Sequence, residues 1–431
     1  MPVTVVVGCQ FGDEGKGKIV DYLARGADWV ARYGGGANAG HTVQIGRETF
    51  VLHLLPSGIL TPRPKCVIGH GVVADPVYLL EEMDLLVGRG VPVAGRLFIS
   101  EGAHALLPYH PMIETLDGED VRVGTTKRGI GPAYQDKVRR AGIRFYELLD
   151  PKRLRVRLEE HAARLETLYR GVGKTPPAPI DQLFAGWIST YSQVADRLRP
   201  LVVDTVELLN SALRRGEKIL GEGAQGTFLD IDLGTYPYVT SSNTTAGGAA
   251  TGLGLPPSSL RKVIGVCKAY ATRVGEGPFP TELSAGAADA LREKGSEFGA
   301  TTGRPRRVGW CDLVQLRYAA RVNGVTSLII TKLDILSGMP QLEIATAYDT
   351  PGGRTTAHPV DTEVLARSKP VYESAPGWLE PVGGVRRYGE LPAAARSYLD
   401  RFEAAAECPI SMVSVGSARS AIMTVPPRGR R

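Results

Sequence analysis

The stretch "VVVGCQFGDEGKGKIVD", Val5 to Asp21, constrains the chain more than any other. An apolar, β-branched run from Val3 to Val7 ends at Gly8, and a glycine-rich loop follows. Such a run reads as a strand buried on both faces of a parallel sheet. A helix is expected from about Gly17 to Arg25. Strand, glycine loop and helix in succession form the setting in which backbone N–H groups and a helix N-terminus hold phosphate. Gly12, Gly17 and Lys18 satisfy the spacing G-x-x-x-x-G-K. The Ser or Thr that should follow to bind magnesium is replaced by Ile19, and two acids, Asp13 and Glu14, lie inside the loop.

Similar apolar runs recur at 97–100, 218–223, 262–270 and 326–334, alternating with amphipathic stretches at 75–90 and 310–324. This alternation predicts an α/β fold: a large, mostly parallel central sheet with flanking helices. Arg153 to Arg170 and Ile180 to Arg215 read as helical, separated by the Pro-rich loop "GVGKTPPAPID", with Pro200 kinking or dividing the second region. Neither an internal repeat nor a domain linker is visible. The expectation is one α/β domain over 1–431 with helical and loop insertions, the helical one around 150–215.

A net charge of +6 and a pI near 9.0 favour anionic ligands. The basic residues are dispersed, without the stripe or aromatic platform of a nucleic-acid binder. The five cysteines lie far apart and contain no C-x-x-C, which points to a reducing compartment. No stretch approaches the ~20 apolar residues that span a bilayer. A soluble, cytoplasmic protein without nucleic-acid or membrane partners is expected.

Further stretches carry chemistry. In the first loop, backbone N–H groups with Lys16 and Lys18 suit polyphosphate. Asp13 has two readings, a ligand for a hard cation or a base taking a substrate proton. Glu14 reads as either solvated or structural. "GGGANAGHTV" (34–43) places His41 in a glycine-rich loop. That histidine is either structural or reaches phosphate together with the backbone. The other six histidines have no comparable setting.

In "TKLD" (331–334), Asp334 ends an apolar strand. It could cap a helix, or accept from N1–H and the N2 amino group of guanine, a donor pair that adenine lacks. The aliphatic stem of Lys332 could lie across the base. "TTGRPRR" (301–307) offers guanidinium groups for carboxylate or phosphate, and "GTTKRGIGPAYQDKVRR" (124–140) combines a Thr-Gly loop with basic residues. Either basic cluster could instead be a solvated face. The dense Gly, Thr and Ser of 238–254 suggest a further functional loop.

In order along the chain, "QFGDEGKGKIVD", "GGANAGHTV", "GTTKRGIGPAYQDK", "EGAQGTFLDIDLGTYPYVTSSNTTAGG", "GATTGRPRRVGW" and "TKLD" closely resemble the adenylosuccinate synthetase family. A fainter match lies at "SVGSARS" (414–420). The resemblance implies a P-loop-like GTP-binding architecture and the reaction IMP + L-aspartate + GTP → adenylosuccinate + GDP + phosphate, with Mg2+. It further implies that Asp13 takes the N1 proton of IMP and that O6 attacks the γ-phosphorus, giving 6-phosphoryl-IMP. His41 would then stabilise the transferring group as a general acid.

The same resemblance assigns ligand contacts. GTP would meet Gly12, Asp13, Glu14, Gly15, Lys16, Gly17 and Lys18, then Gly40, His41 and Thr42. It would also meet Arg306, Lys332, Leu333 and Asp334, with Ser414, Val415 and Gly416. IMP would meet Asp13 to Lys16, Asn38, Ala39, Gly40, His41, Thr126, Gln225, Thr240 and Arg304. Arg140 would reach the IMP of a neighbouring subunit, which implies a homodimer. L-Aspartate would lie against Ala300, Thr301, Thr302, Gly303, Arg304, Pro305 and Arg306, and Asp13 and the Gly40 carbonyl would ligate the metal.

Two other classes predict different behaviour. A regulatory GTPase needs no second nucleotide site, and a nucleic-acid binder would not respond to IMP.

Overall fold

The computed structural model describes residues 3–118, 124–299 and 303–427. Its main sheet has ten strands, β1 to β10 in chain order. The first five are Val3–Gly8, Trp29–Arg32, Lys65–Ile68, Leu97–Ser100 and Val202–Val203. The second five are Ile219–Glu222, Leu260–Lys268, Ser327–Thr331, Ile410–Ser414 and Ile422–Thr424. Their spatial order is β10-β9-β8-β7-β1-β6-β2-β3-β4-β5. All neighbours pair in parallel except the edge strand β10. The expected α/β architecture is therefore the observed one.

β1 is central because its sequence suits burial on both sides. Val6 packs with Val30, Ile68 and Ile264 on one face, while Val5 and Val7 pack with Trp29, Ala31 and Val67 on the other. Each such fully buried aliphatic contributes about 1.5–3 kcal/mol, which polar alternation could not supply. From β1 the chain builds the sheet outward through β2 to β5. It then returns to insert β6 beside β1 and continues outward on the other side. The carboxyl ends of β1, β6, β7 and β8 therefore meet at a topological switch point, where open α/β sheets bind ligands.

The first helix, α1 (Lys16–Ala24), starts directly from the glycine loop. The helix Pro76–Gly88 begins where Asp75 accepts from the N–H groups of Val77 (2.9 Å) and Tyr78 (3.1 Å), with Pro76 in its first turn. Helices Pro151–Gly171 and Ile180–Leu198 pack Leu158, Leu165, Trp187 and Tyr191 into the same core as Val6 and Val30. Pro200 lies in a short 3-10 turn after Leu198, and the next helix, Thr205–Arg214, has its own Asp204 cap. Thus the second helical region is divided.

A long antiparallel pair, Met339–Thr350 with Lys369–Trp378, was not evident from the sequence. The stretch 238–254 also differs from a single functional loop. Its end is a helix, Gly247–Leu253, in which a Cβ on Gly252 would lie 2.0 Å from the Tyr33 carbonyl oxygen. Its small residues thus serve close packing there. Among the described residues no helix is long and apolar enough to cross a membrane, and all five cysteines are free thiols.

Candidate active site

A cavity of ≈860 Å3 lies over the carboxyl ends of the central strands, large enough for more than one small ligand. Gly12 to Lys18, Asn38 to Thr42, Thr126, Gln225, Thr240, Arg304, Arg306, Lys332, Asp334, Ser414 and Gly416 line it. Leu333 and Val415 are fully buried core side chains, so only their backbone could face a ligand. Arg140 is exposed at the C-cap of helix Ile130–Arg139 and Pro305 is exposed on its loop; neither lines the cavity, nor does Gly303. Ala300, Thr301 and Thr302 lie outside the described residues.

The first loop is folded around its own acid. Glu14 is fully buried, and its Oε1 accepts from the N–H groups of Gln10 and Gly12, both at 3.0 Å. Its Oε2 accepts from Lys16 Nζ at 2.6 Å. A Cβ at Gly8 would fall 2.5 Å from that carboxylate, so glycine is required to let it in. Two backbone donors of the apparent phosphate nest are thus already occupied by a carboxylate from the same loop. Asp13 is left pointing outward, held at φ 60, a left-handed backbone costing a non-glycine residue about 1–2 kcal/mol. Its Oδ2 lies 2.9 Å from Arg306 Nε.

Lys18 does not project freely into the cavity. Its Nζ donates to Ser414 Oγ (2.8 Å) and the Gly416 carbonyl (2.6 Å), fastening the C-terminal loop to α1. Burial lowers its pKa to about 8.

His41 opens the strand His41–Ile45, against Gly17. Its Nδ1 lies 2.6 Å from Glu222 Oε1 and 3.2 Å from Ser57 Oγ. A carboxylate only accepts, so Nδ1 carries the proton, leaving Nε2 as the other functional nitrogen. Glu222 ends β6 and is fully buried. Burial opposes its ionisation, but hydrogen bonds from His41 and Ser57 outweigh that and hold its pKa below the usual carboxylate value.

Opposite, three loops meet: Gln225 Nε2 donates to Asn38 Oδ1 at 3.0 Å, and Asn38 Nδ2 donates to Thr240 Oγ1 at 3.3 Å. Gln225 Oε1 is buried without a hydrogen-bond partner and lies against Gly35.

At the far end Asp334 lies within the 3-10 turn Leu333–Leu336, which follows β8. Lys332, not Asp334, is the cap residue, so the helix-cap reading of Asp334 does not hold. Asp334 Oδ1 is buried and unpartnered. Desolvation raises the pKa of this carboxyl, partly offset by a backbone hydrogen bond and nearby lysines. Leaving such an oxygen unpaired costs about 1–3 kcal/mol, which a ligand with two adjacent N–H donors would recover.

The match to the adenylosuccinate synthetase family model runs over residues 5–423. The chain belongs to the adenylosuccinate synthetase family. The adenylosuccinate synthetase of Sorangium cellulosum is 49% identical over 425 residues, 98% of each chain. That of Desulforudis audaxviator is 52% identical over 427 residues, 97% of each. A solved structure of fully ligated adenylosuccinate synthetase from Plasmodium falciparum matches with a TM-score of 0.92 at 36% identity, covering 99% of this chain and 100% of that one.

Sequence reading missed two acids behind this adenylosuccinate synthetase-type cavity. Glu222 is 181 residues from its His41 partner, and Glu297 lies 29 residues from Lys268 and 35 from Lys332. Glu222 opens the quoted segment "EGAQGTFLDIDLGTYPYVTSSNTTAGG" but drew no role there, standing only as an acid at the end of an otherwise apolar strand.

Proposed function

We propose that this chain joins IMP to L-aspartate at the expense of GTP, forming adenylosuccinate, GDP and phosphate through 6-phosphoryl-IMP. The observation that carries this reading is the single cavity shared by Asp13, His41, the Asn38–Gln225–Thr240 chain and the unpaired Asp334 oxygen. A GTPase switch has no use for the Asn38–Gln225–Thr240 wall.

Asp13 accepts the N1 proton of IMP, and the electron pair moves through C6 onto O6. O6 attacks the γ-phosphorus of GTP, the bond to the β-phosphate oxygen breaks, and GDP departs. Activation is needed because an oxygen bonded only to C6 leaves poorly, whereas phosphate leaves well. The amino group of aspartate, having lost a proton, then bonds to C6 as the C6–O6 bond breaks. His41, held by Glu222, donates a hydrogen bond to the phosphoryl oxygens in flight. Asp334 accepts from guanine N1–H and N2, and Lys332 lies along the base.

The α1 N-terminus and Gly40 to Thr42 serve the GTP phosphates, while Gln225, Asn38, Thr126 and Thr240 serve IMP. Residues 300–306 serve aspartate, with Arg304 and Arg306 as the guanidinium partners. Arg140, exposed and outside this cavity, is assigned to the IMP phosphate in a second copy of the chain, which makes the functional unit a homodimer.

Magnesium belongs to the same reading. The described residues contain no cluster of three or more His, Cys, Asp or Glu suited to a metal. A carboxylate and a carbonyl, Asp13 and Gly40, fit an ion that retains phosphate oxygens and water as its other ligands. When bound it would draw charge from the phosphate oxygens. The unpaired thiols fit the cytoplasm, and the shared core fits one domain over 1–431 with its helical insertion.

Phosphate release from GTP in mixtures lacking IMP or aspartate in turn tests this function. Release should require both, with adenylosuccinate formed in equal amount. Release from GTP alone, indifferent to IMP, would show a GTPase instead.

A further inference from the structure

Glu297 is buried between two parts of the cavity that serve different ligands in the reading above, on which this inference rests. It follows the helix Ala285–Gly295 and opens the segment that ends at Arg306. The Arg306 N–H donates to the Glu297 carbonyl at 2.9 Å, and Gly299 N–H donates to the Arg304 carbonyl at 2.8 Å, so residues 297–299 are pinned to residues 304–306.

The Glu297 carboxylate gathers four donors. Oε1 accepts from Lys332 Nζ at 2.7 Å and from the Tyr270 hydroxyl at 2.5 Å. Oε2 accepts from Arg306 Nη1 at 2.5 Å and Lys268 Nζ at 2.9 Å. Lys268 is itself fully buried, at the carboxyl end of β7. Lys332 follows β8 with a left-handed φ of 58 and also donates to the Gly295 carbonyl at 2.7 Å. Two residues on is Asp334, while Arg306 continues from Glu297 to Asp13 at 2.9 Å.

Lys268, Lys332 and Arg306 are three cations, and Glu297 and Asp13 are the carboxylates ion-paired with them. Asp334, whose charge Lys332 feels, is a third acid, and Lys332 and Arg306 line the cavity wall. One carboxylate thus bonds both Lys332, assigned to the base, and Arg306, assigned to aspartate and GTP.

We propose that Glu297 is a positioning residue that couples GTP recognition at Lys332 to aspartate recognition at Arg306. It touches no substrate. Its influence passes through two side chains that do, so its loss displaces both at once and leaves the Asn38–Gln225–Thr240 wall alone.

Glu297→Gln, which keeps the shape and removes the charge, provides the test. KM for GTP and KM for aspartate should each rise about tenfold or more, and by more than kcat falls. The IMP dissociation constant, measured by titration without turnover, should stay within about twofold. Both KM values unchanged, or only one of them moved, would overturn the coupling. So would an IMP affinity lost in parallel, since that reports general damage.

Where Glu297→Gln fails to fold by circular dichroism, Glu297→Asp decides the matter. Its shortened anion should raise the two KM values together by about threefold to tenfold, and a rise in one alone would contradict the proposal. The unaltered enzyme is assayed alongside. If it forms no adenylosuccinate the ligase reading fails, whereas an active parent with an unaffected variant fails Glu297 alone.

Discussion

At the first glycine loop Glu14, Lys16 and Lys18 all have internal partners, whereas at the opposite end Asp334 keeps a buried oxygen with none among the described residues. The loop that most resembles a phosphate cradle has part of its donor capacity filled by its own carboxylate. The end marked by only four residues, "TKLD", has the clearest unmet demand for a ligand. A satisfied network rigidifies, and an unsatisfied buried group selects. One end of the cavity therefore holds Asp13 in a strained position, and the other, under the proposed function, chooses the base.

The sharpest way to break this contrast is Asp13→Ala. It should lower kcat by about a thousandfold or more, because it removes the proton acceptor. The melting temperature should change little, since Asp13 is partly exposed and Arg306 keeps its ion pair with Glu297 when the pair with Asp13 is lost. Substantial residual turnover would remove Asp13 as the base.

Asp334→Asn acts at the other end, and its effect belongs in specificity. The preference for GTP over ATP should fall about a hundredfold with kcat nearly intact, since a carboxamide cannot accept from two adjacent donors as a carboxylate does. The raised pKa of Asp334 adds a pH signature. As pH falls through that value the carboxyl gains a proton and loses an acceptor. KM for GTP should therefore rise in acid in the parent enzyme and stay flat in Asp334→Asn. An unchanged base preference would sink the guanine assignment.

Glu222→Gln sharpens the reaction end with a smaller effect. His41 keeps a hydrogen-bond partner but loses the carboxylate that orients and supports it as a donor to the transferring group, so kcat should fall about ten- to a hundredfold. KM for GTP and for IMP should stay within about twofold; both KM values raised with kcat unchanged would make Glu222 merely structural.

The smallest effect should fall on neither end. Burial lowers the pKa of His53, His161 and His358 from 6.5 to about 4, and that of His104 to about 3. Because the folded values lie below the unfolded one, the unfolded chain takes up protons first as pH drops below 6.5. Stability is lost in that direction, by about 5 °C or more in Tm between pH 7 and 5. A flat Tm over that window would contradict the buried, neutral assignment.

What could be read from residues alone followed from local rules. Val3 to Val7 and the following glycine loop predicted strand, turn and helix, and the amphipathic stretch 75–90 holds the helix Pro76–Gly88. Trp29–Arg32 and Lys65–Ile68 were missed because four residues with charged ends carry too little periodicity. The pair Met339–Thr350 and Lys369–Trp378 was hidden by Pro340, Pro370 and Pro376, residues that argue against a strand unless it lies at an edge or a bulge.

In the cavity the glycine-rich and strand-end residues stood out, since unusual backbone leaves a mark in composition. Glu14 could be named but not understood, because its partners are backbone N–H groups. Glu222 and Glu297 were illegible, for a lone acid acquires meaning only when the fold brings a distant cation or histidine to it.

The central claim, that Asp13 and His41 activate O6 of IMP by phosphorylation, is tested most directly with IMP carrying heavy oxygen at C6. Under complete conditions with GTP and aspartate, the label should appear in the inorganic phosphate in a one-to-one ratio with adenylosuccinate. Label released into water, with unlabelled phosphate, would mean that GTP hydrolysis and amine attack are separate events, and that the reaction end of the cavity works differently.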